Sequence, residues 1–255
     1  MGLNAATGGA GAQAMILAAG RGQRMRPLTD TTPKPLLVVR GKPLLLWPME
    51  ALVAGGFRRL VVNTDWLGGQ IEDFFARCPS WNGHSLLLNG EQIGLTLSAE
   101  GRDFGRALET AGGIARALPQ LGEVFWVLAG DVFAPDFTFT QAAVDRFTAS
   151  GQLAHLWLVP NPPHHPGGDF GLSPGGLALN QADTRYTFST IALYRRALFE
   201  APWCDIPPGN PDGVVAPLAP LLRRAIDAGR VSAALYSGRW TDVGTPERLA
   251  ELNAT

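Results

Sequence analysis

Cysteine is almost missing: Cys78 and Cys204 are the only two in 255 residues. They allow at most one disulfide and no cysteine-based metal site, so two small buried or free thiols in a reducing compartment are expected. A surplus of either charge is missing as well, since 21 Lys+Arg against 22 Asp+Glu leave −1. That balance argues against holding duplex nucleic acid by counterion release, while leaving room for a local basic loop. Charged residues make up only 17%, below the roughly 25% of ordinary soluble domains. Long apolar runs are lacking too. Stretches such as 44–47 and 124–129 fall far short of the roughly 18–20 residues that cross a bilayer. Residues 1–13 are Gly/Ala-rich, with neither a basic flank nor an apolar core, which predicts a disordered tail rather than a secretory signal. Ala6 stands where N-myristoylation requires Ser or Thr. These absences predict a cytoplasmic protein with no membrane and no nucleic acid among its partners. They leave the oligomeric state open.

What is present is a core: 46% of the residues are hydrophobic, among 31 glycines and 20 prolines that promise many turns. Apolar strands at 14–19, 59–63, 94–98 and 123–129 alternate with helical spacing at 44–53, 69–75 and 110–118. Pro48 interrupts the first of these helices, and Gly55-Gly56 ends it. Fully apolar strands separated by helices imply a mainly parallel sheet covered on both faces. From about residue 151 the pattern turns to short strands at 153–160, 170–172, 177–179 and 186–194, and helices return at 216–228 and 246–252. No linker divides 14–255, which predicts a single α/β domain. Ligands of such sheets sit beyond the carboxyl ends of the strands. That rule singles out the loop after Ala19, Asp131, and Asp242 late in the chain.

The first of these loops suits phosphate. Gly20 and Gly22 let backbone N–H groups approach an oxyanion. Arg21, Arg24 and Arg26 supply guanidiniums that fork onto phosphate oxygens, and prolines on both sides of Lys34 aim its ammonium. The loop is neither Gly-x-x-x-x-Gly-Lys-Ser/Thr nor Gly-x-Gly-x-x-Gly, because Met25 occupies the third glycine position. Asp131 follows the apolar strand 123–129, where a buried carboxylate needs a cation or several donors. Asp242 precedes Thr245-Pro246, an N-cap and first helical residue that account for themselves but not for the acid.

The run Leu-Ala-Ala-Gly-Arg-Gly-Gln-Arg-Met-Arg-Pro-Leu-Thr at 17–29, followed by Pro-Lys-Pro-Leu at 33–36, resembles the signature of sugar-1-phosphate nucleotidyltransferases. The resemblance spans roughly residues 14–252. It implies a Rossmann-like mixed, mainly parallel sheet, an NTP substrate and catalysis assisted by Mg²⁺. Within that resemblance Ala18, Ala19, Gly20, Gly22, Gln23 and Arg24 cradle the triphosphate, with Lys34 on phosphate oxygens and Gly101 against the base. Arg24, Lys34 and Asp131 carry the chemistry, and Asp131 with Asp242 binds the metal. Glu109, Gly113, Asp169, Thr187, Ser189 and Asp242 face the sugar phosphate. Catalysis then requires positioning and charge neutralisation, and no general base, because a phosphate nucleophile is already ionised.

Asn-Pro-Pro-His-His-Pro-Gly-Gly-Asp-Phe at 161–170 resembles one branch in particular, the N-acetylmuramate-1-phosphate uridylyltransferases. Neighbouring histidines of a strand point to opposite faces, so joint binding of one metal is not expected. The branch implies uridylyl transfer from UTP to a sugar-1-phosphate. The alternatives are thymidylyl or guanylyl transfer to glucose- or mannose-1-phosphate, and a catalytically silent sensor of nucleotide sugars. Ala111 and Thr190 depart from the family's usual glycines, and residues 102–106 lengthen the connection before Leu108. Thr110 is expected to cap the helix that follows. Trp126 is the safest core residue among the seven tryptophans.

Overall fold

The structure, a computed structural model, describes residues 12–254. Strand β1 (Ala12–Ala18) opens the sheet, so Ala12 and Gln13 belong to the domain. The rest of the expected tail lies outside the described residues. A cationic loop leads into the short helix α1 (Leu28–Thr31) and the hairpin β2 (Val38–Val39) and β3 (Lys42–Pro43). Helix α2 (Leu46–Ala54) carries Pro48 inside its first turn, where a missing N–H costs nothing, so the proline does not break it. Then come β4 (Arg59–Thr64), α3 (Gly68–Ala76), β5 (Ser85–Leu88), β6 (Glu91–Ala99), α4 (Glu100–Phe104) and α5 (Glu109–Ala117). After β7 (Leu121–Ala129) follow β8 (Val132–Phe133), α6 (Gln141–Ser150) and β9 (Ala154–Val159). The last stretch adds β10 (Gly171–Leu172), β11 (Ala178–Leu179), β12 (Thr187–Arg195), α7 (Leu218–Asp227), β13 (Val231–Leu235), β14 (Thr241–Asp242) and α8 (Pro246–Ala254).

Eight strands form one sheet in the order β13-β9-β12-β7-β1-β4-β6-β5. The four in the middle, β7, β1, β4 and β6, are mutually parallel, whereas β12 is antiparallel to both its neighbours. The sheet is therefore mixed and mainly parallel at its centre, as the run of fully apolar strands predicted. Period-two alternation divides the core. Met15, Val61 and Val127 join α5 and α7 on one face. Ile16, Val62, Trp126 and Leu128 join α2 and α3 on the other. Trp126 is fully buried. A third cluster packs Met25, Val39, Phe133, Val243 and Leu249 together, which anchors the cationic loop and α8 to the hairpin. Thr245 does cap α8, accepting from Arg248 N through its hydroxyl.

Candidate active site

The parallel strands end together at Ala18, Thr64, Ala99 and Ala129, and a cleft of about 1040 Å³ opens above them. One half is walled by the loop at Ala18, Ala19, Gly20 and Arg21 and by Asp65, Trp66 and Glu109. The other half is walled by Asp169, Phe170, Phe188, Thr190 and α7. Lys34 and Asp131 border it as well.

The cationic loop is held from beneath. Gly22 adopts a left-handed φ of +61°, and its carbonyl accepts from Met25 N and from Thr29 Oγ1, each at 2.8 Å. A Cβ there would lie 2.9 Å from Thr29 Cγ2, whereas Gly20 faces open space. Gly20 thus leaves room for a ligand, and Gly22 makes the turn that permits it. The Arg21 guanidinium lies 4.3 Å from the centre of the Trp66 ring. Arg24 is exposed and makes no hydrogen bond or ion pair among the described residues. Gln23 and Arg24 do not line the main cleft; Gln23 borders a smaller hollow with Arg21, Arg26 and Trp66.

Asp131 and Asp242 converge although they lie far apart in the chain. Strands β8 and β14 pair with Asp242 opposite Val132, and Val243 N donates to Asp131 O at 2.8 Å. Each carboxylate has a cation: Lys34, only 8% exposed, is bonded to Asp131, and Arg248 to Asp242. His164 Nε2 stands 3.0 Å from Asp242 Oδ1, and His165 Nε2 stands 3.2 Å from Asp169 Oδ1. The neighbouring histidines lie in a turn and not on the expected strand, and they serve two different acids. Among the described residues no group of three or more His, Cys, Asp or Glu side chains could enclose a metal. Two acids carried on adjoining backbone, Asp131 at the cleft and Asp242 on the paired strand, nevertheless fit the donor set of Mg²⁺, which takes one or two carboxylates and fills its remaining positions with water and phosphate oxygens.

Several expected contacts lie elsewhere, for physical reasons. On β12 the alternation turns Thr187 and Ser189 away from the cleft. They are buried and bonded to Asn161 Oδ1 and Trp157 O, while Phe188 and Thr190 face the cleft. A Cβ on Gly113 would approach Glu100 Oε1 to 2.5 Å, and one on Gly101 would approach Asp65 Oδ1 to 2.7 Å. Both glycines serve close packing beneath the cleft, and Gly101 sits in α4 rather than in an open loop. Thr110 is not the cap of α5, which starts at Glu109 in a left-handed conformation, φ +58°. Asp169 lines the cleft and accepts from Phe188 N at 2.8 Å.

Sequence reasoning missed Glu100. Its carboxylate is fully buried and accepts from Asn63 Nδ2 at 2.7 Å and from Leu108 N at 2.8 Å, while Asn63 Oδ1 accepts from Ala18 N at 2.8 Å. The start of the cationic loop, the end of β4 and the entry to α5 are thereby tied to one acid. Burial raises its pKa, against the lowering effect of the Asn63 and Leu108 bonds. Asp65 is likewise raised by burial, opposed by Arg21. The acid directly after an apolar strand was the available signal at Glu100, the same one that marked Asp131.

Residues 13–173 match the family described as Nucleotidyl transferase. The chain belongs to that family. This nucleotidyl transferase is 45% identical over 246 residues to N-acetylmuramate alpha-1-phosphate uridylyltransferase of Neisseria meningitidis serogroup B, covering 95% of this chain and 97% of the relative. It is 30% identical to the Caulobacter vibrioides protein of the same name, covering 93% and 97%. Its fold is shared by the UDP-glucose pyrophosphorylase structure from Acinetobacter baumanii, with a TM-score of 0.70 at 15% identity over 94% and 91% of the two chains. No helix among the described residues of this transferase is long and apolar enough to cross a membrane.

Proposed function

We propose that the protein transfers a uridylyl group from UTP to N-acetylmuramate 1-phosphate, releasing pyrophosphate and a UDP-sugar for reuse in the cytoplasm. The observation that carries this reading is 45% identity over nearly the whole of both chains to a uridylyltransferase for that sugar phosphate. The geometry supports it. The open space at Gly20 suits the triphosphate, which would lie along the backbone of 18–22 with Arg21 at its outer oxygens, while Arg24, exposed outside the main cleft, would have to swing inward to join it. Uridine then faces Asp65 and Trp66, and the sugar faces Asp169, Phe188 and Thr190.

Asp131 and Asp242 would hold Mg²⁺, and bound Mg²⁺ would supply charge neutralisation at the α-phosphate and a fixed orientation of the phosphate oxygens. Lys34 and Arg248 balance the two carboxylates, and Lys34, at the cleft, would also offer countercharge to phosphate. The sugar-phosphate oxygen attacks the α-phosphorus in line, and pyrophosphate leaves from the opposite side. No residue has to remove a proton, so the protein contributes placement and countercharge.

Pyrophosphate release over a matrix of the four NTPs, dTTP and several sugar 1-phosphates, with and without Mg²⁺, tests the assignment. Turnover concentrated on UTP with N-acetylmuramate 1-phosphate is the expected pattern. Activity confined to dTTP with glucose 1-phosphate would replace the base and the sugar while leaving the fold intact.

A further inference from the structure

The sugar half of the cleft holds a cation that the transfer chemistry does not use. Four cationic side chains line the cleft: Arg21, Lys34, Arg106 and Arg223. The first rests on Trp66, the second on Asp131, and the third donates to Gly213 O at 3.3 Å. Arg223 is the one contributed by α7. That helix buries Leu218, Leu222, Ala225 and Ile226 and leaves Arg223 on the exposed edge of the wall.

Arg223 is also held in place. Its guanidinium lies 5.2 Å from the centre of the Phe170 ring, and its Nη1 donates to Asn180 Oδ1 at 3.3 Å. Asn180 in turn donates to Arg223 O at 2.8 Å and to Asp227 Oδ1 at 2.7 Å. One asparagine therefore grips both the backbone and the head of the arginine. No carboxylate pairs with Arg223 among the described residues. Lys34 and Arg248, at the reacting end, each have one.

A preset, unpaired guanidinium is built to take a planar anion by two parallel N–H donors. The phosphate of the sugar substrate is already accounted for at the Asp131 end. A second anion is what remains for Arg223. N-acetylmuramate carries one, the carboxylate of the lactate ether-linked to the sugar ring, whereas N-acetylglucosamine has the same ring without it. We propose that Arg223 determines specificity by forking onto a carboxylate borne by the sugar 1-phosphate. This rests on the uridylyltransferase reading and adds to it the group that discriminates between sugars.

The test compares the full-length wild type with Arg223→Gln and Arg223→Lys. The sugars are N-acetylmuramate 1-phosphate, glucuronate 1-phosphate and N-acetylglucosamine 1-phosphate. Initial rates with UTP and calorimetric binding of each sugar phosphate are both read. With Arg223→Gln, KM and Kd for N-acetylmuramate 1-phosphate should rise roughly 10- to 100-fold, the scale of a lost charge-assisted pair. Values for N-acetylglucosamine 1-phosphate and KM for UTP should stay within about twofold, which also shows that the variant folds. Arg223→Lys should recover part of the loss, since it restores the charge without the fork. A loss seen with glucuronate 1-phosphate instead would keep the carboxylate and move it to C6 of the sugar. Equal losses on acidic and neutral sugars, or none on either, overturn the proposal. UDP-sugar formation without preference for the acid would sink this inference and spare uridylyl transfer. Arg223-dependent binding of the acid sugar without transfer from UTP would do the reverse.

Discussion

At Asp131 the same carboxylate is asked to balance an ammonium and to receive a divalent cation. Lys34 supplies the countercharge. An amide at this position keeps the shape and loses the charge, so Asp131→Asn should lower kcat by about 10²–10³-fold, the scale of one lost electrostatic stabiliser. KM for the sugar phosphate should change by no more than a few fold. Steady-state pyrophosphate release separates the two parameters, and near-normal kcat would remove Asp131 from the mechanism. Glu100 makes a different prediction, about pH. Burial, the largest cause, raises its pKa above the usual 4.5, so the folded protein keeps this proton to higher pH than the unfolded chain. Stability from this group is then greatest at low pH and is lost as pH rises through the raised value. Glutamine imitates the neutral acid. The melting-temperature margin of the wild type over Glu100→Gln should therefore shrink as pH rises above about 4.5, and a margin that widens instead would contradict the burial argument.

Strand β12 pays for its place beside the cleft with a bulge. Its pairing with β9 shifts register between Phe188 and Ala192, and inside the shift Thr190 takes φ +65° with a buried hydroxyl that has no hydrogen-bond partner among the described residues. A branched residue in that region costs about 1–2 kcal/mol. Thr190→Gly should raise stability by about 1 kcal/mol in urea unfolding, the entropy of glycine offsetting part of the relief. Unchanged or lower stability would mean that the threonine is not strained. On the neighbouring β9, His155 is largely buried, its Nδ1 2.8 Å from Ser232 Oγ on β13, and desolvation lowers its pKa to about 4. The folded state thus favours the neutral ring. Its stability is complete above about pH 6.5 and declines as pH falls toward 4, by up to about 3 kcal/mol for a shift of that size. His155→Asn should flatten that part of the pH profile of thermal unfolding. Both effects escape a reading by pattern, because a bulge and a buried imidazole arise from pairing with distant strands. What was legible was local. The apolar runs of β1, β4 and β7 fixed the parallel centre, and Asp131 stood out because an acid at the end of such a strand is costly. The hairpin partner β5, the helix α6 and the edge strand β13 carry shorter or more polar patterns that only their neighbours define. Thr187 and Ser189 were assigned by motif, and only the frame of β12 decides which of its residues face the cleft.

Across the whole molecule, the cleft joins two unequal supports. The loop at 18–22 and the ends of β4 and β6 stand on the parallel half of the sheet, whereas Asp169, Phe188 and α7 stand on the half organised by antiparallel β12. The proposed metal pair straddles them: Asp131 follows β7, in the middle, and Asp242 arrives late in the chain through β14. A ligand that touches both acids therefore ties the end of β7 to the late segment that carries β14. Ligands that bind the folded state alone stabilise it by about 2.7 kcal/mol at a hundredfold excess over Kd. For a domain of this size that is a rise of roughly 5–10 °C in melting temperature. UTP with Mg²⁺ should produce it in the wild type, and adding EDTA should abolish both the rise and turnover. If the acids act as a pair, Asp131→Asn and Asp242→Asn should each remove most of the Mg²⁺-dependent part, and the double variant should remove little more, because the two losses are not additive at a shared ion. Additive losses would mean that the carboxylates serve separate ligands, and the pairing of β8 with β14 would then be structural alone.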